Sequence, residues 1–161
     1  MGESEVPSAD GASLRIYSEL YIGRPPAEVW SCFPDPARWS GWSPICTACR
    51  TADGRPLETG SILVMRLRIL GVTFTIRAAV VRAASGEVIG WECHRFGVTA
   101  SHTYRLRAKG TGTLISNEEI LLGLPGPVRL LVQAWFAYTN LSRRSLYGIR
   151  TRVEQAGPAG S

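Results

Sequence analysis

From Ile45 to Leu122, short runs of alternating apolar and polar residues are each closed by a turn signal, a rhythm that leaves a chain few folds to choose from. Extended segments are expected at 45–51, 60–70, 72–84, 87–95, 98–108 and 112–122. Asp53-Gly54, Gly71-Val72, Ser85-Gly86, Phe96-Gly97 and the run from Lys109 to Gly112 punctuate them in the manner of hairpin connections. An antiparallel meander follows. A further strand is expected at 14–22, and helix signals separate it from the meander. Pro25 and Pro26 suit the first turn of a helix through "AEVWSCF", and Asp35 is placed to cap "PARWSG".

The end of the chain has a different texture. Between Val128 and Glu154 there is no proline and one glycine, and apolar residues recur at Leu131, Trp135, Tyr138, Leu141, Ile149 and Val153 on near-helical spacing. This predicts one helix about 40 Å long, separated from the last strand by "GLPGP". One strand, two short helices, six more antiparallel strands and a long amphipathic helix make an α+β unit, a curved seven-stranded sheet closing around the C-terminal helix. Such a sheet leaves a volume against its helix that suits an apolar ligand, and small residues at Ala78, Ala79, Gly90 and Ala100 would widen it.

Composition bounds the remaining choices. At 161 residues, 45% hydrophobic and 19% charged, the chain fits a single domain at 13–154, with aperiodic tails at 1–12 and 155–161 expected to be disordered. Its most apolar stretch, Ser61 to Ile76, is broken by Arg66, Arg68 and Gly71, which fits strands and not a membrane helix. The acidic, polar start is unlike a secretory signal. A cytoplasmic protein without membrane insertion is expected. The net charge is +5, and the cluster Arg143, Arg144, Arg150 and Arg152 could meet phosphates or an acidic membrane surface; a solvated helix face is the simpler reading, since no nucleic-acid motif accompanies it. The sequence leaves the oligomeric state open.

Cysteines stand at 32, 46, 49 and 93. Cys46 and Cys49 form a lone CxxC without a second pair or a nearby histidine pair, and on an extended strand positions i and i+3 point to opposite faces. Small buried side chains are therefore expected, and no metal site. Phosphate-binding glycine loops, GxSxG and HExxH are missing from the sequence, so no cofactor is expected.

The stretch from Phe33 to Pro44, "FPDPARWSGWSP", sets two tryptophans where the backbone is least regular. Together with the preceding "IGRPPAEVWSC", it resembles the opening of the START-like, helix-grip superfamily, which includes polyketide cyclases, aromatases, plant pathogenesis-related allergens and lipid-transfer domains. Pro26, Val29, Trp30, Asp35, Trp39 and Trp42 occupy the positions of that pattern. "HTYRLRAKGTGTLISNEEILLG" resembles the superfamily's paired final strands through His102, Tyr104, Leu106, Gly112, Thr113, Glu119 and Gly123. The resemblance spans residues 14–154 and implies a helix-grip fold, with Trp39 and Trp42 at one end of a cavity and Trp30 in packing.

On the last strand Thr113, Ile115, Asn117, Glu119 and Leu121 share one face and Leu114, Ser116, Glu118, Ile120 and Leu122 the other. Hydrophobicity alone permits either face inward; the resemblance implies the first. Pairing across "KGTG" then brings His102 near Glu119 or Asn117, an imidazole and a carboxyl suited to acid–base work, with Tyr104 able to donate to a developing enolate. A structural hydrogen bond closing the sheet is the equal alternative. In "EVIGWECHRF" the resemblance favours Trp91 and Cys93 inward, while a one-residue slip would admit Glu92 and His94. Arg66, Arg68 and Arg77 alternate with apolar residues and should face water; Arg66 is the candidate if one guanidinium turns in to hold a carbonyl.

These residues point to a cofactor-free cyclase or dehydratase acting on a hydrophobic, oxygenated, polyketide-like small molecule. His102, Glu119 and Tyr104 are its catalytic candidates, with Trp39, Trp42, Trp91, Asn117 and Arg66 as ligand-binding candidates. A non-catalytic carrier of a lipid or other apolar metabolite, and a protein-binding subunit, are the competing readings.

Overall fold

A computed structural model of the chain describes residues 13–157. The elements are β1 (Ser13–Ile22), α1 (Pro26–Trp30), a 3-10 turn (Pro36–Gly41), β2 (Cys46–Thr51), β3 (Ile62–Ile69), β4 (Val72–Ala84), β5 (Val88–Arg95), β6 (Val98–Lys109), β7 (Gly112–Leu122), α2 (Gly126–Thr139) and α3 (Leu141–Gln155). All seven strands form one antiparallel sheet in the order β1-β7-β6-β5-β4-β3-β2, so the meander is intact and β1 adds to β7 at one edge. Of the tails expected at 1–12 and 155–161, residues 1–12 and 158–161 lie outside the described residues; within the second, Gln155 is the last residue of α3 and 156–157 follow it.

Local chemistry accounts for the short helices. Prolines open α1, where their missing N–H is not needed. Asp35 caps the 3-10 turn, its Oδ1 accepting from the Ala37 N–H at 3.0 Å. On β3, Leu63, Met65 and Leu67 are buried while Arg66 and Arg68 are exposed, the period of two that a one-sided sheet requires.

The C-terminal helix is bent rather than straight. Asn140 takes a left-handed conformation, φ 53° and ψ 34°, which ends α2 and starts α3. Asparagine tolerates that region better than most residues, and the Asn140 N–H still bonds to the Phe136 carbonyl at 2.9 Å. Beyond the bend the helix halves differ. Leu141, Leu146, Ile149 and Val153 of α3 are buried against the sheet, whereas α2 buries none of its residues.

α3 also fixes the tryptophan-bearing segment. A Cβ at Gly148 would lie 2.1 Å from the Trp42 carbonyl oxygen, so only glycine lets the helix approach that backbone. Trp39 is 1% exposed and Trp42 6%, in one core with Phe33, Tyr104 and Leu146. Each such side chain contributes about 1.5–3 kcal/mol by leaving water. Between the sheet, α2 and α3 lies a cavity of about 670 Å3.

One strand departs from its expected geometry. The ladder between β2 and β3 shifts register between Cys46 and Ala48. This bulge brings Cys46 and Cys49 to the same side, so the expectation of opposite faces fails there. Both are buried free thiols, as small core side chains are. Cys49 is held above its ordinary pKa and Cys46 below it, chiefly by the hydrogen bond between the two thiols.

Candidate functional site

Sheet register builds the site in two rows. Trp91 on β5 faces His102 on β6, which faces Glu119 on β7; one step along, Ile89 faces Tyr104, which faces Asn117, which faces Ser18 on β1. Alternation turns Trp91, His102, Tyr104, Asn117 and Glu119 into the cavity, and all five border it. Aromatic rings flank the imidazole on two adjacent sides. His102 stacks on Trp91 at 4.8 Å between centroids and on Tyr104 at 4.9 Å, and Trp39 continues the stack against Trp91 at 4.9 Å.

Within this apolar setting His102 Nδ1 lies 3.9 Å from Glu119 Oε2. About a fifth of each side chain is accessible, 23% and 20%, on the cavity-facing surface of the sheet. Burial drives both groups toward neutrality. It pushes the imidazole down to about 4, with the Asn117 carboxamide pulling the other way, and pushes the Glu119 carboxyl up to about 7. It also holds the Tyr104 phenol well above its ordinary value, opposed by the Ser145 hydroxyl. His102 Nε2, Asn117 Oδ1 and Trp135 Nε1 are buried without a hydrogen-bond partner in the protein. Asn117 Nδ2 donates to the Ser142 carbonyl at 3.4 Å. A neutral imidazole beside a protonatable carboxyl can take a proton from carbon, give one to oxygen, or hydrogen-bond a carbonyl guest.

Trp42 and Trp39 border the cavity, but their indole N–H groups are taken by the chain itself. Trp39 Nε1 donates to the Phe33 carbonyl at 3.0 Å and Trp42 Nε1 to the Cys32 carbonyl at 3.2 Å. They offer a guest rigid apolar surface. Trp30 packs on Phe33 at 5.6 Å, away from the cavity. Register at β5 places Trp91 and Cys93 at the cavity, while Glu92 and His94 pair on the other face, 3.9 Å apart. Glu118, on the outer face of β7, pairs with Arg15 of β1.

Arg66 is a correction. It sits exposed on the outer face of β3 because Met65 and Leu67 fill the inner one, and it does not border the cavity. Among the small residues expected to widen the cavity, Ala100 borders it; Ala79 and Gly90 fall on the outer face, and Ala78 packs in the core beyond it. Of the α3 arginines, Arg143 and Arg144 are exposed and Arg150 pairs with Glu154 at 4.0 Å and stacks over Tyr147, whereas Arg152 turns toward Gly41 and Cys32.

Sequence reasoning missed the helical half of the site. Ser142 and Ser145 of α3 are buried opposite Asn117 and Tyr104, and Trp135 of α2 adds an indole wall. Two serines in an otherwise apolar helical face were the available signal. Arg95, Leu70 and Leu131 border the open end of the cavity, far from the tryptophan floor. Among the described residues, no group of three or more His, Cys, Asp or Glu side chains is arranged to hold a metal ion. No described helix is long and apolar enough to cross a membrane.

Solved structures share this architecture. The two-domain aromatase/cyclase StfQ of the steffimycin biosynthetic pathway superimposes with a TM-score of 0.73 at 11% identity, covering 90% of this chain and 52% of that one. A START superfamily protein from Mycobacterium smegmatis matches with a TM-score of 0.64 at 21% identity, covering 91% and 99%. Ara h 8.0201 matches with a TM-score of 0.65 at 14% identity, covering 89% and 99%. At these identities the likeness is one of fold. No curated protein matches the chain. The family model described as polyketide cyclase/dehydrase and lipid transport matches residues 13–154, helix-grip fold and cavity included, and the chain belongs to that family.

Proposed function

We propose that the protein is a cofactor-free cyclase or dehydratase for a polyketide-like, hydrophobic and oxygenated molecule held between the sheet and the C-terminal helix. The observation that carries the reading is the His102–Glu119 pair: two titratable groups 3.9 Å apart, both neutralised by burial, on the wall of an apolar cavity. Burying such groups without full pairing costs stability, and function is the usual reason to keep them.

In the proposed reaction the neutral imidazole carries its proton on Nε2, and the Nδ1 lone pair, on the side of Glu119, acts as base. Nδ1 removes a proton from the carbon beside a carbonyl while the Glu119 carboxylic acid protonates the departing hydroxyl. The C–H and C–O bonds break, a C=C bond forms and water leaves. The imidazolium then returns its proton to the Glu119 carboxylate, 3.9 Å away, which resets the pair. Tyr104 supports the enolate oxygen as a neutral donor. Trp39, Trp42 and Trp91 fold the substrate chain against a rigid wall.

The test uses a linear β-hydroxyketone of polyketide type, following loss of water by mass spectrometry. His102→Gln and Glu119→Gln are each expected to lower turnover by about 100-fold or more, with affinity for the ligand retained. The productive state, neutral imidazole with protonated carboxyl, exists between about 4 and about 7, so kcat/KM should be bell-shaped with limbs near those values. Unchanged turnover in both variants would refute the reading. The mostly apolar wall also supports a carrier, which would release its ligand unmodified in wild type and variants alike.

A further inference from the structure

The antiparallel meander sorts its turns between two ends of the sheet. The β2–β3, β4–β5 and β6–β7 connections share one end, and their turn residues include Asp53-Gly54, Ser85-Gly86 and Gly110-Thr111. The β3–β4 and β5–β6 turns share the other, and there the pairs are Leu70-Gly71 and Phe96-Gly97. Both residues of each pair have positive φ, 51° and 80° in the first and 52° and 76° in the second. That pattern belongs to type I′ turns, whose first position ordinarily takes Asn, Asp or Gly because a larger side chain clashes with the backbone. Leu70 is nevertheless 80% exposed and Phe96 91%. The conformation disfavours these residues and so does their exposure, so folding does not account for them.

The same end continues into the helix. A Cβ at Gly123 would lie 2.3 Å from the Gly97 carbonyl oxygen, so the link from β7 to α2 abuts the Phe96 turn. α2 then presents Leu130 and Leu131, both mostly exposed, and Leu70 and Leu131 border the cavity mouth. Charge next to the tips is basic: Arg68 lies two residues from Leu70, Arg95 adjoins Phe96 and Arg129 lies near the start of α2, while Glu92 sits further in, four residues from Phe96 and beside His94. Arg95 reaches over the Phe96 ring at 5.1 Å.

Apolar side chains at protruding tips, with guanidinium groups set behind them, match an interface in which the former enter the acyl boundary and the latter meet lipid phosphates. We infer that this end of the molecule docks on anionic membranes. Leu70, Phe96 and the exposed side of α2 insert shallowly, Arg68 and Arg95 contact the headgroups, and the cavity mouth faces the bilayer. Two hairpin tips and a helix form separate prominences, which a deformable lipid surface accommodates more readily than a protein partner does. The contact is shallow, made by side chains and not by a spanning helix. It rests on neither the acid–base chemistry nor the identity of the guest, and it gives an apolar molecule a dry route into the cavity.

Co-sedimentation of the full chain with phosphatidylcholine vesicles, with and without phosphatidylglycerol, tests the inference. Binding is expected to the anionic vesicles and to weaken with added salt. Leu70→Asn combined with Phe96→Asn should lower the partition coefficient by at least about 10-fold, since two apolar side chains leave the interface. Asparagine is favoured at this turn position, so the double variant should melt at the same or a higher temperature. Arg68→Gln with Arg95→Gln should weaken binding and flatten its salt dependence. Absence of binding by the folded wild type, or binding that the double tip variant retains, would overturn the inference, and absence would turn attention to an acidic protein partner. Ligand affinity of Phe96→Asn in vesicle-free buffer, read in parallel, keeps a failure of docking distinct from a failure of the cavity reading.

Discussion

His102 and Glu119 shift in opposite directions, and each shift has its own consequence for stability. Burial raises the Glu119 carboxyl from 4.5 in the unfolded chain to about 7 in the folded one. The folded state therefore holds a proton that the unfolded state has lost across that window, and stability falls as pH rises through it. His102 is lowered from 6.5 to about 4, so its cost is absent above 6.5 and grows as pH falls toward 4. Between about 4.5 and 6.5 the two slopes oppose one another. Glu119→Gln is accordingly expected to stabilise the protein by about 1–3 kcal/mol at around pH 8 and by much less near pH 5, read by urea denaturation at both values. Equal effects at the two pH values would mean that the carboxyl is not held up. The sequence suggested this pair, because a hairpin across "KGTG" brings positions 102 and 119 together whatever else the chain does. It did not show that Trp91 stacks on the imidazole, since that contact depends on the register of a third strand. Arg66 was the residue misjudged as a ligand contact: strand alternation already pointed it outward, and the structure follows alternation.

Among the elements, the strands were the most legible, because each is bounded by turn residues whose backbone requirements are local. The C-terminal helix was legible too, but its bend was not, since Asn140 is compatible with a helix and only packing decides that it turns left-handed there. The bend lets α3 press on the sheet while α2 lifts to wall the cavity without burying any of its residues. The β2 bulge was equally hidden, because an i, i+3 argument presumes an unbroken ladder. Contact between α3 and the Trp42 segment is the most demanding in the fold. Gly148→Ala would put a methyl group 2.1 Å from a backbone oxygen, and neither the helix nor the segment can yield by a side-chain rotation. The variant is expected to lose about 2–4 kcal/mol in urea denaturation despite alanine's better helix propensity. A neutral or stabilising outcome would mean that α3 does not seat against Trp42 as described.

Over the whole molecule, the chain divides its labours between ends. Trp39 and Trp42 line the cavity at one end, and Leu70 and Arg95, at the two strained turns, line its exposed rim at the other. Between them the sheet and the bent helix enclose a space of about 670 Å3 whose wall is mostly apolar. Composition could not reveal this polarity, because a +5 chain with scattered arginines looks uniform until the meander sets the Leu70 and Phe96 turns, with Arg68 and Arg95 beside them, at one end. What makes the interior chemically distinctive is its remoteness from water, and the ionisation of its two titratable groups reports that remoteness directly. The decisive measurement is an NMR titration of the ligand-free protein, following the His102 ring and the Glu119 side-chain carboxyl. An imidazole that stays neutral down to about 4 and a carboxyl that titrates near 7 are expected. An imidazole titrating near 6.5 and a carboxyl near 4.5 would contradict that expectation.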